Sequence, residues 1–367
     1  MLEHRVQPAI RGLRAYDPGH DMVALRRAAD AALVELGSNE NPYGPSPLAR
    51  DAVVKHLDEL ALYPDPRGGD LKRALAQRHG VAVEQIVLGD GSHELLMQLA
   101  QVFAGPDAGV VASQYGFAVY SIAAAAVGAP FRAAPALAMD HAMAAGHDLD
   151  AIVAAVDANT HLVYLANPNN PTGTWCGIDA IERFLARIPD DVIVAIDEAY
   201  AEFVDAPEWA SAIALVARHS NLIVLRTFSK AHGLAGLRVG YGIAQPELIG
   251  WLERVRESFN VNLLGLAAAE ASLGDPAHVG EGVRKNKIER ERLADALRSR
   301  GLFVFPSQTN FLLVRFGEDA ARIDEALRTR GIVPRPMGGY GLPDCLRITI
   351  GTADQNATLL AALDALR

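Results

Sequence analysis

The sequence predicts an α/β protein, with a large domain built on a mainly parallel sheet sandwiched by helices and a smaller α+β domain beside it. Two observations carry this reading. Continuous Val/Ile/Leu runs recur between residues 85 and 225, each closed by polar or glycine-rich residues. Strands buried on both faces read this way, because neither side can tolerate polar alternation. From about Pro246 the strands shorten and interleave with charged helical stretches, the pattern of an α+β unit. A chain of 367 residues is long enough for two or three such units.

Taken in order, the first forty residues hold no strong strand run and are expected to pack on one of the two bodies. Residues 85–89 form a strand that leads into a helix at 92–99. A strand at 109–112 precedes a helix at 120–127. The run 162–166 enters Asn167-Pro168-Asn169-Asn170-Pro171-Thr172-Gly173. A strand at 192–196 ends at Asp197, and another at 221–225 ends just before Thr227. Beyond these, a helical stretch at 247–261 leads to a charged helix at 284–300. Short strands follow at 302–305 and 310–314, then a helix at 319–330 and a strand at 346–350. The large domain is placed at 43–250, and the small domain at 1–42 plus 251–367.

Composition excludes some functions. A net charge of −10 without a concentrated basic stripe argues against a nucleic-acid surface. A local positive pocket for a small anion is still compatible with an acidic protein. The two cysteines, Cys176 and Cys345, have no metal-ligand spacing, which predicts no metal site and a reducing compartment. The stretch Met1-Leu2-Glu3-His4-Arg5 lacks an apolar signal core. The Ala-rich region 121–138 is interrupted by Gly128, Pro130, Arg132 and Pro135, so it falls short of the ~18 apolar residues of a spanning helix. A cytoplasmic protein without membrane contact is expected.

In parallel sheets ligands collect outside the carboxyl ends of the strands, so the polar residues closing these runs should converge on one rim. Asp197 closes a wholly apolar strand, where an unpaired carboxylate is costly; it either caps local backbone or faces a cation. Lys230 follows Arg226-Thr227-Phe228-Ser229, with Gly233, Gly236 and Arg238 just beyond. Hydroxyls, glycines and an arginine within a dozen residues can cradle a phosphate, since backbone N–H groups approach closely and guanidinium binds two oxygens. Gly89-Asp90-Gly91-Ser92 sits between a strand and a helix, aiming a positive helix end at an anion. Singly, each feature has a plainer explanation: a solvated lysine, a helix-capping aspartate or an ordinary Gly-Ser cap.

Together they resemble a known family. Asn169-Asn170-Pro171-Thr172-Gly173, then Asp197-Glu198-Ala199-Tyr200, then Thr227-Phe228-Ser229-Lys230 with Arg238 eight residues on, are similar to the fold-type I aminotransferases that use pyridoxal 5'-phosphate. The resemblance runs from about Val34 to Ile350. It implies a seven-stranded main sheet and a role for each residue. Lys230 would join the cofactor aldehyde as an imine and then act as the proton-transfer base. Asp197 would pair with the protonated pyridine nitrogen. Asn170 and Tyr200 would hydrogen-bond the phenolic oxygen. Gly91, Ser92, Thr227, Ser229 and Arg238 would hold the phosphate, and Tyr115 would stack on the ring. Tyr63, in Leu62-Tyr63-Pro64-Asp65-Pro66, matches a tyrosine that reaches the other subunit's cofactor phosphate, which implies a homodimer with shared active sites.

Within that family, 36–47, the Tyr-Pro-Asp-Pro turn and 346–351 look most like the histidinol-phosphate aminotransferases, and Ala15-Tyr16-Asp17-Pro18-Gly19 fits the same subgroup. The implied reaction converts L-histidinol phosphate and 2-oxoglutarate to imidazole-acetol phosphate and L-glutamate, in histidine biosynthesis. Arg335 and Arg347 match positions that grip the substrate's anionic end, with Tyr16 and Asn39 lining the same pocket. An aromatic amino-acid aminotransferase is the nearest alternative, and a phosphorylated-amino-acid decarboxylase a more distant one. His93 departs from the Asp or Asn of many relatives. A structural or ring-packing role is expected for His232, and solvent exposure for His141 and His147.

Overall fold

The computed structural model describes residues 2–13, 20–28 and 33–366. Its strands are β1 (Val34–Glu35), β2 (Ile86–Asp90), β3 (Gly109–Ser113), β4 (Phe131–Ala134), β5 (Thr160–Ala166), β6 (Ile193–Asp197), β7 (Leu222–Thr227), β8 (Val239–Ala244), β9 (Phe303–Val304), β10 (Phe311–Arg315), β11 (Ile332–Val333), β12 (Arg335–Pro336) and β13 (Cys345–Thr349). The main sheet has seven strands in the order β2-β8-β7-β6-β5-β3-β4. Strand β8 runs antiparallel to both its neighbours, while β7, β6, β5, β3 and β4 pair in parallel. An antiparallel four-stranded sheet, β12-β13-β10-β9, and a parallel β1-β11 pair complete the β-structure among the described residues.

Alternation along the central strands feeds two apolar layers, since successive side chains leave a strand on opposite faces. Leu222 and Val224 join Val194, Ile196, Val163 and Leu165 on one face; Ile223 and Leu225 join Ala195, Leu162 and Tyr164 on the other. Helices Gly69–His79, Ile178–Leu185 and Leu263–Leu273 cover the first layer through Leu71, Leu75, Ile181, Phe184 and Ala268. Helices Gly91–Phe103, Val119–Ala126 and Pro246–Leu252 cover the second through Leu95, Leu99, Ala123 and Leu248. The antiparallel sheet has its own core, where Leu312, Val314 and Ile348 pack against Leu293, Leu297 and Leu359.

Several elements depart from the sequence reading. Helix formation does not persist over 247–261. It stops at Leu252, Phe259 takes a left-handed φ of 62°, and a new helix starts at Leu263 with the Asn262 side chain accepting from Gly265 N–H. Arg256 fixes this turn by donating to Glu253, Asn260 and the Pro66 carbonyl. The charged helix begins earlier, at Pro276, capped by Asp275. Strands β4 and β8 and the final helix Ala353–Asp364, capped by Thr352 and Gln355, were not among the expected elements. His147 is buried and not exposed as expected: its Nε2 donates to the Ala166 carbonyl at 2.8 Å, and burial lowers the imidazole pKa to about 4. His141 is exposed. His232 does pack as a ring, 4.7 Å from Phe228, with Nδ1 on the Ser272 hydroxyl at 2.7 Å. No described helix is long and apolar enough to cross a membrane.

Candidate active site

The carboxyl ends of β5, β6 and β7 stop side by side, with Ala166 opposite Asp197 in the ladder. They open onto a cavity of about 360 Å³. Its walls take Asp197, Tyr200, Thr227, Ser229, Lys230 and Arg238 from the main sheet, and Ser38, Asn39, Arg335, Tyr340 and Arg347 from the other side. Residues more than 150 positions apart thus meet at one rim, as expected for a parallel sheet.

Lys230 leaves the loop after β7, and its Nζ donates to the Ser38 carbonyl at 3.4 Å. Burial, reinforced by the positive charge of Arg347, lowers its pKa to about 8. A neutral amine is therefore accessible near physiological pH. Asp197 is the opposite case. Burial raises its pKa to about 6, opposed by the Ala199 N–H at 3.2 Å on Oδ1 and the Tyr120 hydroxyl at 3.2 Å on Oδ2. A lysine depressed and an aspartate elevated in one cavity is the kind of perturbed pair that functional sites gather.

The remaining polar groups are held from behind. Asn39, with a left-handed φ of 54°, donates from Nδ2 to the Tyr200 hydroxyl at 2.9 Å. Its backbone is tied to the antiparallel sheet: Thr349 Oγ1 accepts from Asn39 N–H at 2.9 Å, and Asn310 Nδ2 donates to the Asn39 carbonyl at 3.0 Å. Arg347, buried on β13, donates to Asn170 Oδ1 at 2.6 Å and to the Gly37 carbonyl at 2.7 Å. Arg335 lies directly opposite it on β12. Two guanidinium groups therefore edge the cavity on the side away from the main sheet.

A second cationic end lies where helix Gly91–Phe103 begins. Ser92 in its first turn, Thr227, Ser229 and Arg238 line the cavity there. Thr227 Oγ1 donates to Ser229 Oγ at 3.0 Å, and Arg238 Nη1 reaches the same hydroxyl at 3.4 Å. Gly91 has φ +69°, and a methyl group on it would collide with the Arg238 guanidinium. Hydroxyls, an arginine and a helix N-terminus in this arrangement suit an anion of phosphate size.

Two expected residues stand elsewhere. Tyr115 is corrected: its ring packs in a small apolar cluster with Phe305, Leu313 and Met337, and the aromatic on the cavity wall is Phe117. The turn Tyr115-Gly116-Phe117 offers two rings of opposite orientation, and the phase of the following helix selects the second. Tyr63 lies outside the cavity, 82% exposed and stacked on Phe259 at 4.6 Å. Tyr16 lies outside the described residues. Sequence reasoning also missed Ser38, Tyr340 and Phe117 as wall residues. Tyr340 carried a signal in its Gly338-Gly339-Tyr340-Gly341 setting, since glycine on both sides often marks backbone that must approach a ligand.

Comparison with known proteins agrees with this geometry. Histidinol-phosphate aminotransferase 2 of Pseudomonas aeruginosa is 45% identical over 360 residues, covering 97% of this chain and 96% of the relative. Histidinol-phosphate aminotransferase 2 of Ralstonia nicotianae is 46% identical over 361 residues, covering 97% and 95%. Among solved structures, histidinol-phosphate aminotransferase from Sinorhizobium meliloti in complex with pyridoxal-5'-phosphate superposes with a TM-score of 0.88 at 31% identity, covering 99% of this chain and 98% of that one. The family described as aminotransferase class I and II matches residues 31–363. With the match spanning the cavity and both sheets that form it, the chain belongs to the class I and II aminotransferases.

Proposed function

We propose that this protein is a pyridoxal-phosphate-dependent aminotransferase that converts L-histidinol phosphate and 2-oxoglutarate to imidazole-acetol phosphate and L-glutamate in histidine biosynthesis. One observation carries the reading: a cavity with a phosphate-sized cationic end, a depressed lysine and a buried aspartate in its middle, and two arginines at the far side. Near-full-length relatives at 43–46% identity, named histidinol-phosphate aminotransferases, support the substrate.

The residues present fit the cofactor. The Gly91–Arg238 packing leaves room at the helix N-terminus only because position 91 has no Cβ, and Ser92, Thr227, Ser229 and Arg238 supply donors for a phosphate. When bound, pyridoxal phosphate supplies an aldehyde that condenses with amines and a ring that accepts the electron pair left at Cα. Lys230, with its lowered pKa, is the amine that would hold that aldehyde and would serve as the base for the Cα proton. Asp197, buried at the end of its strand, would face the ring nitrogen and hold its proton in place. Tyr200 accepts from Asn39, so its own proton would be available to donate to the ring's phenolic oxygen, beside Asn170. Phe117, the aromatic on the cavity wall, would stack on the ring in place of Tyr115. Arg335 and Arg347 would bind the substrate phosphate or the glutamate carboxylate in turn, with Asn39 on the same cavity wall.

Residues 43–250 belong to the large domain, joined by helix Leu263–Leu273, which packs on the main sheet, and 1–42 with the rest of 251–367 belong to the small one. Two copies associate in the cytoplasm, so that the exposed Tyr63 ring of each reaches the cofactor phosphate of the other. Side-by-side amino-donor assays with 2-oxoglutarate test the substrate. Histidinol phosphate should exceed phenylalanine, tyrosine and threonine phosphate in kcat/KM by orders of magnitude. A larger value for phenylalanine or tyrosine, or carbon dioxide release without 2-oxoglutarate, refutes it.

A further inference from the structure

Tyr120 has no part in the family pattern read from the sequence, yet its hydroxyl is the side-chain donor nearest the buried acid. It lies in the first turn of helix Val119–Ala126, almost fully buried. Its hydroxyl stands 3.2 Å from Asp197 Oδ2. We propose that Tyr120 is a positioning residue that holds the Asp197 carboxylate ionised and aimed at the cofactor's ring nitrogen. This rests on the placement of that nitrogen against Asp197 proposed above.

The donor direction follows from chemistry. A carboxylate only accepts, and burial beside Asp197 holds the phenol protonated, well above its ordinary range. Asp197 Oδ1 already accepts from Ala199 N–H, so each carboxylate oxygen has one donor, from two different elements. Rotation of the carboxylate breaks one of these bonds. Among charged groups, Lys230 favours ionised Asp197 and Glu198 opposes it, and the two neutral donors act against the burial that raises its pKa.

The tyrosine is itself held rigidly. Its ring stacks on Tyr164 at 4.8 Å with an interplanar angle of 8°, and meets Phe117 edge-on at 6.0 Å. The Tyr164 hydroxyl in turn donates to the Leu96 carbonyl at 2.6 Å, within the helix whose N-terminus forms the anion end. Tyr120 thus joins the acid below the ring site to the aromatic wall. Loss of its hydroxyl makes Asp197 more basic, and the proton shared with the ring nitrogen moves toward the carboxylate.

The test uses holoenzyme reconstituted with pyridoxal phosphate carrying ¹⁵N in the ring, with the nitrogen chemical shift read at neutral pH. Wild type is expected to show a protonated nitrogen. Tyr120→Phe should shift the signal toward the neutral position, lowering the protonated-to-neutral ratio roughly tenfold, the scale of one hydrogen bond to a charged group. Tyr164→Phe keeps the stacked ring and the Tyr120 hydroxyl, and should match wild type. A Tyr120→Phe signal equal to wild type overturns the inference, as does an equal shift in Tyr164→Phe, which would mean packing alone. If Tyr120→Phe does not fold, 4-aminophenylalanine at 120, a weaker donor of the same shape, should move the signal the same way, and no movement overturns the inference. Asp197→Asn separates the two readings. Its nitrogen should be neutral; a protonated one would refute the Asp197 placement itself, and the Tyr120 role with it.

Discussion

Replacing Asp197 by asparagine should abolish turnover and, in the cofactor-free protein, change stability in a pH-dependent way. The carboxyl pKa is raised by burial from 3.8 to about 6 in the folded chain. Below pH 4 both folded and unfolded states hold the proton, and burial of the neutral acid carries no charge penalty. Between pH 4 and 6 the folded state holds more protons than the unfolded one, so stability falls as pH rises. The shift of roughly two units, at ~1.36 kcal/mol each, corresponds to about 3 kcal/mol of destabilisation present at pH 7. Asparagine does not titrate. It can accept from Tyr120 or from Ala199 N–H with its single oxygen, but the cost of losing the other, about 1 kcal/mol, is constant with pH. The difference in unfolding free energy between variant and wild type should therefore move in the variant's favour by about 2 kcal/mol from pH 4 to pH 7. Denaturant titrations of both cofactor-free proteins at pH steps measure it. A difference that stays flat across this window would show that Asp197 ionises normally, and the electrostatic account of the site would fail.

Three further outcomes are expected. Arg347→Lys loses the two-point hold on Asn170 and Gly37 and the forked contact to an anionic substrate. KM should rise roughly 10–100-fold, on the ~1.5–3 kcal/mol scale of a charge-assisted hydrogen bond, with a smaller fall in kcat; steady-state kinetics with histidinol phosphate check this. Gly91→Ala combines left-handed strain of ~1–2 kcal/mol with displacement of Arg238, so cofactor affinity measured by equilibrium dialysis should fall at least about tenfold. Gly80→Ala has a similar φ of 66° but open space around it, and should lose stability without losing affinity. Glu198 is fully buried, 3.0 Å from Arg226, and accepts from Ser211 and Ala212. Glu198→Ala should destabilise by about 3 kcal/mol, the low end for breaking a buried pair, because Glu202 still faces Arg226 at 2.8 Å. Denaturation midpoints report it.

Much of this was legible because parallel strands leave an unbroken apolar signal and deposit their polar residues at one end. Asp197, Thr227 and Lys230 could be placed on a common rim from that logic alone. Strand β8 escaped notice because Gly240 and Gly242 dilute its apolar run. They are tolerated because the sheet neighbours press close: a side chain at 240 would strike the backbone of Ser92. Tyr115 and Phe117 could not be separated, since a turn between strand and helix has neither period, and only the helix phase decides which ring faces the cavity. His147 looked exposed in a polar, Gly-flanked segment, yet it closes the open carbonyl of Ala166 at the end of β5. Tyr120 carried no motif at all; its role depends on a neighbour 77 residues away that only the fold brings near.

Borohydride reduction of the purified holoenzyme, followed by peptide mapping, tests the role proposed for Lys230 most directly. The account predicts one pyridoxyl-modified peptide, with the label on Lys230, and no label after Lys230→Ala. Label on a different lysine, or retention of covalent cofactor in the alanine variant, would contradict it.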